Sequence, residues 1–314
     1  MKAFDFAQAA WLLLLLVAAV YLGSAARPER ANLAAAAPPL DSAPLRDAVG
    51  HTPANKHFQR IASSSAYADE LLLALAEPER IVALSGQGQR SQREAFRYGT
   101  RTLISGPGDL ERLLRLRVDL LLITHFGGQA DLARAREGGI EVFDLGDMRG
   151  LATLEQNMLA VASLLGDRAR GERLWRSWSR QLRAVARDVP QSERKAALYI
   201  AIYANKVYGG TIGTSYHDVL TAAGLRDLAA DKFRDWPQYD PEQLLDLDPP
   251  LIVTEGGMAE QLCNHSWLRS LRACKTAAKP FAGVVEISRN LMGSAGLGML
   301  DAALELRERV YPAD

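Results

Sequence analysis

Two α/β lobes, each built on a parallel sheet and joined by one long backbone helix, are what the sequence predicts. Three observations predict them. Short apolar runs alternate with helical stretches over residues 58–150 and again over 191–314. A proline-free helical stretch separates these halves, and one helix-to-strand phrase is written twice. The copies are DLERLLRLRVDLLLITHFGG, Asp109 to Gly128, and DPEQLLDLDPPLIVTEGG, Asp240 to Gly257. Strands alternating with helices imply a parallel sheet covered on both faces.

Length and composition agree with two cores. The chain has 314 residues, 48% of them apolar, which exceeds one average domain. Lysine plus arginine balances aspartate plus glutamate at 37 each, so no global field recruits nucleic acid or an anionic membrane.

The first 26 residues read as a signal peptide or signal anchor: Lys2, an apolar run from Trp11 to Leu22, then the small residues Gly23 to Ala26. Either reading sends the rest of the chain out of the cytoplasm, and no cysteine lies near the exit to make a lipoprotein anchor. Residues 27–57, rich in Ala and Pro without a sustained period, are expected to be a tether, with folding starting near Phe58.

In the first lobe, 58–150, strands are expected at Ile61, Ile81 to Leu84, Thr102 to Ile104, Asp119 to Ile123 and Glu141 to Phe143, with a helix over Ala68 to Leu75. The linker, 151–190, opens on Thr153 as N-cap with Gln156 completing a capping box. Its apolar periodicity runs nearly to Pro190, weakened only at Gly166 and Gly171, as one long helix or two nearly continuous ones. The second lobe, 191–314, repeats the alternation. Strands are expected at Ala196 to Ile202, Leu251 to Thr254 and Val284 to Ile287, and helices at Ser215 to Ala223 and Gly298 to Val310.

In each copy of the repeated phrase an aspartate stands at the N-cap position, and Pro241 takes the first helical position of the second. At an offset of 131 residues, Asp109, Glu111, Leu113, Leu114, Leu116 and Leu120 recur as Asp240, Glu242, Leu244, Leu245, Leu247 and Leu251. The apolar runs that follow suit strands buried on both faces, and they end in HFGG and EGG, where ligands of open α/β sheets sit. Glu111 and Glu242 have two readings: carboxylates complementing a helix dipole, or matched charges with which two lobes dock on one partner.

The ordered motifs RIASSSAYADELLLAL, LERLLRLRVDLLLI, PEQLLDLDPPLIV and WLRSLRACK, with a signal before them and a helical stretch between lobes, resemble the periplasmic substrate-binding proteins for iron chelates and cobalamin. The similarity spans Arg60 to Pro312. It implies two Rossmann-like lobes joined by a rigid backbone helix, a ligand held between them, delivery to an ABC permease and little closure on binding. It also implies that Glu111 and Glu242 meet arginines of the permease, which favours the docking reading.

A broad chelate, cobalamin or a ferric siderophore, favours flat side chains and a few polar anchors in a cleft. Tyr203, Tyr208 and Trp236 are the candidates in the second lobe, and His125 and Phe126 in the first. Arg289, in EISRNLMG, is a candidate for a carboxylate, amide or phosphate of the ligand. The haem-binding relatives place a tyrosine shortly before the first-lobe glutamate, whereas ISGPGDLE, Ile104 to Glu111, has none.

No catalytic constellation emerges, and no cofactor or bound metal of the protein's own is expected. GGTIGTS lacks the lysine of a phosphate-binding loop, there is no G-x-S-x-G, and the five histidines show no H-E-x-x-H. His217 and Asp218, adjacent on a helix, point apart. Cys263 and Cys274 permit a disulfide in an oxidising compartment, or are two separate core cysteines. The expectation is a monomeric periplasmic carrier of a metal chelate, without nucleic acid. The rival is a membrane-tethered chelatase-like enzyme on the same scaffold, with His125 as proton acceptor.

Overall fold

The computed structural model describes residues 45–86, 95–125, 128–275 and 283–312. The expected signal segment, residues 27–44 of the expected tether, and Phe126 lie outside the described residues.

Residues before the expected start at Phe58 already pack on the first lobe. Asp47 is buried, and its carboxylate accepts the N–H groups of Val49 at 3.1 Å and His51 at 2.7 Å. Ala48 N–H donates to the Asp144 carbonyl at 2.9 Å, and Ala54 N–H to the Glu141 carboxylate at 3.1 Å. Residues 45–57 are therefore a strap against the first lobe, not part of a tether. Alanine-rich composition hid the one aspartate that organises the turn.

The first lobe carries β1 (Ile61–Ser63), β2 (Ile81–Ser85), β3 (Thr102–Ile104), β4 (Leu120–Ile123) and β5 (Glu141–Asp144) in the order β3-β2-β1-β4-β5, all parallel. The strap thus covers the β5 edge, which would otherwise offer unpaired backbone groups. Around the sheet lie α1 (Ala66–Leu75), α2 (Leu110–Arg115) and α3 (Gln129–Glu137). Ser65 caps α1 through the Ala68 N–H at 3.2 Å. Asp109 does not cap α2 with its side chain; its carboxylate turns back to the Ser105 N–H and hydroxyl, at 2.6 and 2.8 Å.

The linker is two helices, α4 (Leu151–Leu164) and α5 (Arg168–Ala184), rather than one long helix. Gly166 takes φ +87° at the break, and Asp167 caps α5 through the Arg170 N–H at 2.9 Å. Gly171 then sits against the first helix, where an added Cβ would lie 2.6 Å from the Ala162 Cβ. Periodicity survives such a turn, because each helix keeps its own apolar face. The expected start at Thr153 is also displaced. α4 begins at Leu151, and the Thr153 hydroxyl accepts the Arg149 N–H at 3.0 Å. The Leu151 N–H donates at 2.7 Å to Asp218 of the second lobe.

The second lobe holds β6 (Ala196–Tyr199), β7 (Ala201–Tyr203), β8 (Lys206–Tyr208), α6 (Ser215–Ala222), β9 (Arg226–Asp227), β10 (Gln238–Tyr239), α7 (Pro241–Leu247), β11 (Ile252–Glu255), α8 (Ala259–Asn264), β12 (Val284–Ile287), α9 (Arg289–Met292) and α10 (Met299–Val310). Its parallel sheet runs β12-β11-β6-β9, and a small antiparallel sheet runs β10-β8-β7. The strand expected over Ala196 to Ile202 thus divides between two sheets. The β7–β8 hairpin turns on Ala204 and Asn205, both at positive φ as a two-residue hairpin of this hand requires. Asp240 and Gln243 form a full capping box at α7, with Pro241 first. Cys263 and Cys274 are bridged, with Cα atoms 5.4 Å apart.

One hydrophobic core passes through both lobes and the linker. It includes Leu71 and Leu72 of α1, Leu154 and Met158 of α4, Trp178 and Leu182 of α5, Val219 of α6 and Met299 of α10. Trp178 adds a hydrogen bond from its indole N–H to the Leu297 carbonyl at 3.0 Å.

Candidate functional site

Residues that follow strands of both parallel sheets meet at one cleft of about 590 Å³. Ser64 follows β1, Ser105 follows β3 and Thr124 follows β4; from the other lobe come Glu255 at the end of β11 and Arg289 just after β12. Carboxyl ends of parallel strands form this crevice because the helices that cover the sheet leave only its rim open.

Tyr203, 61% exposed, borders this cleft and also a second, apolar compartment of about 290 Å³. That compartment is lined by Tyr199, Ala201, Tyr208, Gly209, Tyr216 and Trp236. Tyr199 and Tyr216 stack at 3.8 Å, and Tyr203 meets Tyr208 edge-on at 6.5 Å. Gly210 lies so close to the Tyr216 ring that any Cβ there would overlap it. Burial pushes the Tyr199 and Tyr216 phenols up, so this wall stays neutral.

Glu255 and Arg289 form an ion pair in the cleft, with Oε2 and Nε 3.4 Å apart. Glu255 is nearly buried and also accepts the Tyr199 hydroxyl at 3.4 Å. Arg289 keeps 65% of its side chain exposed, so it can exchange this partner for an anionic or amide group of a ligand.

Two neighbouring acids of α1 lie at or near the cleft. Asp69 is buried, accepts the Ser85 N–H at 2.9 Å and takes the Ser63 hydroxyl. Glu70 lines the cleft and reaches the other lobe, accepting the Ser294 hydroxyl at 3.3 Å and the Gly298 N–H at 3.2 Å. Burial raises both carboxyls to about 7.

Trp236 is held from behind. The Arg149 guanidinium stands 5.3 Å from its ring centroid and pairs with the carboxylate of Asp235. His125 adopts φ +38°, donates its N–H to Asp144 at 2.8 Å and places Nδ1 3.6 Å from the other carboxylate oxygen. Its neighbour Thr124 lines the cleft; His125 is exposed and is not among the lining residues.

Tyr203 and Arg289 therefore meet at the main cleft, and Tyr203, Tyr208 and Trp236 at the aromatic compartment. Glu111 and Glu242 lie away from it, exposed in the first turns of α2 and α7. Glu111 pairs with Arg115. Among the described residues Glu242 has no ion pair, and no group of three or more His, Cys, Asp or Glu is placed to hold a metal ion.

Sequence reasoning missed Arg149, Asp218 and Glu70. His217 and Asp218 do point apart: His217 bonds Asp227 at 2.8 Å, and Asp218 serves the start of α4. Nothing local marks Glu70, since its partners lie more than two hundred residues away.

Several solved structures share this architecture. A possible iron-binding (periplasmic solute-binding) protein from Staphylococcus epidermidis ATCC 12228 has a TM-score of 0.66 at 14% identity, over 82% of this chain and 100% of the other. The periplasmic heme binding protein HutB of Vibrio cholerae scores 0.67 at 18% identity, over 81% and 99%. A periplasmic heme binding protein from Pseudomonas aeruginosa scores 0.63 at 23% identity, over 82% and 94%. At such identities the likeness is one of fold. No curated protein matches the sequence. A family model described as periplasmic binding protein matches residues 61–277, which takes in all five strands of the first sheet and most of the second lobe. On that match, and on two parallel-sheet lobes facing each other across a cleft at their strand ends, the chain belongs to the periplasmic binding protein family.

Proposed function

We propose that the protein is the substrate-binding component of an ABC importer, exported by its N-terminal segment to the periplasm. It holds a metal chelate, cobalamin or a ferric siderophore, and delivers it to an inner-membrane permease. The best support is the union of two unlike surfaces at Tyr203. On one side lie hydroxyls and the Glu255–Arg289 pair, on the other a neutral wall of Tyr199, Tyr208, Tyr216 and Trp236. A chelate presents flat ring or apolar faces together with amide, hydroxyl or carboxylate edges, which these two surfaces match.

The similar Vibrio and Pseudomonas proteins are heme-binding proteins. Here residues 104–111 supply no tyrosine. Tyr67, in the cleft, is bonded to Asn157 at 3.1 Å and pushed up by burial, which disfavours a phenolate on iron. A ligand whose metal is already saturated by its own donors suits this site better.

Thermal melting and tryptophan emission of the purified protein with cyanocobalamin, a hydroxamate ferric siderophore, a catecholate ferric siderophore and haemin test the proposal. One cobalamin or siderophore should raise the melting temperature saturably, lose affinity in Trp236→Ala and Tyr208→Ala, and be recovered unchanged. Absence of binding to any of the four would sink the reading, and recovery of a demetallated or remetallated product would point to the chelatase-like alternative.

A further inference from the structure

The repeated phrase leaves something on the surface besides its glutamates. Leu113 and Leu244 are fully buried, as stripe positions should be. The next residues are not: Leu114 is 43% and Leu245 is 51% exposed. Seven large hydrophobic side chains are exposed among the described residues, and two of these, Tyr203 and Trp236, belong to the cleft walls. That two of the remaining five fall at equivalent positions of two repeat copies asks for a shared cause. Each leucine stands three residues after its glutamate, so Glu111 with Leu114, and Glu242 with Leu245, are surface neighbours on one helix face. Leu114 is also seated against Gly138, where an added Cβ would come within 3.0 Å of its Cδ2, so part of its freedom is already lost.

The charges around the two copies differ. α2 carries Arg112 and Arg115, the latter paired with Glu111, whereas α7 carries Asp246. What the copies share on the surface is one carboxylate and one leucine.

We propose that Leu114 and Leu245 are the apolar halves of two equivalent docking epitopes, each completed by its glutamate, and that the partner is a permease with two symmetry-related notches, each cationic beside an apolar recess. The inference rests on the docking reading of Glu111 and Glu242. Two like epitopes on one chain call for a partner with two like sites, which a two-fold permease dimer supplies. The carboxylates steer encounter and set register, while burial of the leucines holds the complex and governs its dissociation.

Association of the full-length protein with its permease in lipid nanodiscs, followed at 50 and 500 mM NaCl, provides the test. Leu114→Ser with Leu245→Ser should raise the dissociation rate by roughly tenfold for each leucine lost and keep the parental salt dependence. Glu111→Ala with Glu242→Ala should instead slow association at low salt and flatten its salt dependence. Leu→Met at both positions should restore most of the lifetime, and equal melting temperatures would show that every variant folds. Parental binding by the serine pair, with impaired binding by the alanine pair, would overturn the leucine inference and leave the glutamate reading intact. Parental binding by both pairs would overturn both.

Discussion

The guanidinium of Arg149 lies 5.3 Å from the ring centroid of Trp236 while pairing with the adjacent Asp235. Arg149 immediately precedes the linker, so the aromatic wall of the second lobe is gripped from the junction between lobes. Arg149→Met keeps the stem and removes the charge. Acrylamide quenching of Trp236, isolated as the difference from the matching Trp236→Phe protein, should increase. Affinity for whichever chelate binds should fall about 2- to 5-fold, in line with ~0.5–1 kcal/mol for an exposed cation–π contact. Unaltered quenching would show that the guanidinium does not hold the ring.

Asp69 and Glu70 carry a pH dependence of definite sign. Their folded values, raised to about 7 by burial, exceed ordinary carboxyl values, so the native state takes up protons as pH falls from about 7 toward 4. Their contribution to stability therefore improves toward acid and is least favourable above pH 7. Asp69→Asn with Glu70→Gln should melt a few degrees higher than the parent at pH 8, and the gain should shrink to nothing near pH 4.5. A gain that stays constant with pH would contradict the assignment. Asp109, lowered by the Ser105 N–H, acts oppositely and Asp218, raised by burial, acts in the same sense, but both are common to the two proteins and cancel in the comparison.

Gly150 and Gly139 contrast a crowded glycine with an open one. Both have positive φ, yet a Cβ at Gly139 meets open space whereas one at Gly150 strikes the Asp218 carboxylate and comes within 2.7 Å of the Ser215 Cα. Gly139→Ala should cost about 1 kcal/mol and Gly150→Ala at least ~1–3 kcal/mol more in denaturant unfolding. Equal costs would mean that the lobes are not pressed together there.

Two contacts between distant elements fasten the molecule, Leu151 to Asp218 and Glu70 to Gly298, and a common core runs through both lobes and the linker. Ligand binding should therefore change the radius of gyration in solution scattering by less than about 1 Å, well short of a hinged closure. A larger contraction would mean these contacts open in the free protein.

Reduction of Cys263–Cys274 should lower stability by about 2–4 kcal/mol through the closed loop it releases. Neither cysteine lines either compartment, so chelate affinity should persist under reducing conditions in which the protein remains folded. Loss of binding in folded, reduced protein would show that the bridge supports the site.

Much of the fold was legible because period and run length are local properties. The strands at Ile81, Thr102 and Val284 and the helix ending at Val310 begin and end within a residue or two of where apolar runs and breakers put them. The start of α7 was legible too, since Asp240 as N-cap and Pro241 after it are adjacent, whereas the part of Gln243 in a capping box there appears only in the structure. Asp109 shows the limit: the same residue in the same repeat position turned back to Ser105, a choice made by the preceding turn. The linker was legible in part: Gly166 marks the weak point that divides two helices, but periodicity does not register that the second helix packs back against the first.

By itself, then, the amino-acid order determined two parallel-sheet lobes, their repeated helix starts with Glu111 and Glu242, and the rings available for a cleft. These follow from spacing along the chain, where an apolar stripe or a cap involves neighbours a few residues apart. Only the tertiary structure decided that Asp218 would serve the linker, that Glu70 would reach Gly298, and that Tyr203 would join a polar cleft to an aromatic one. Those contacts depend on how elements far apart in sequence pack, and packing of a shared core is a property of the whole chain.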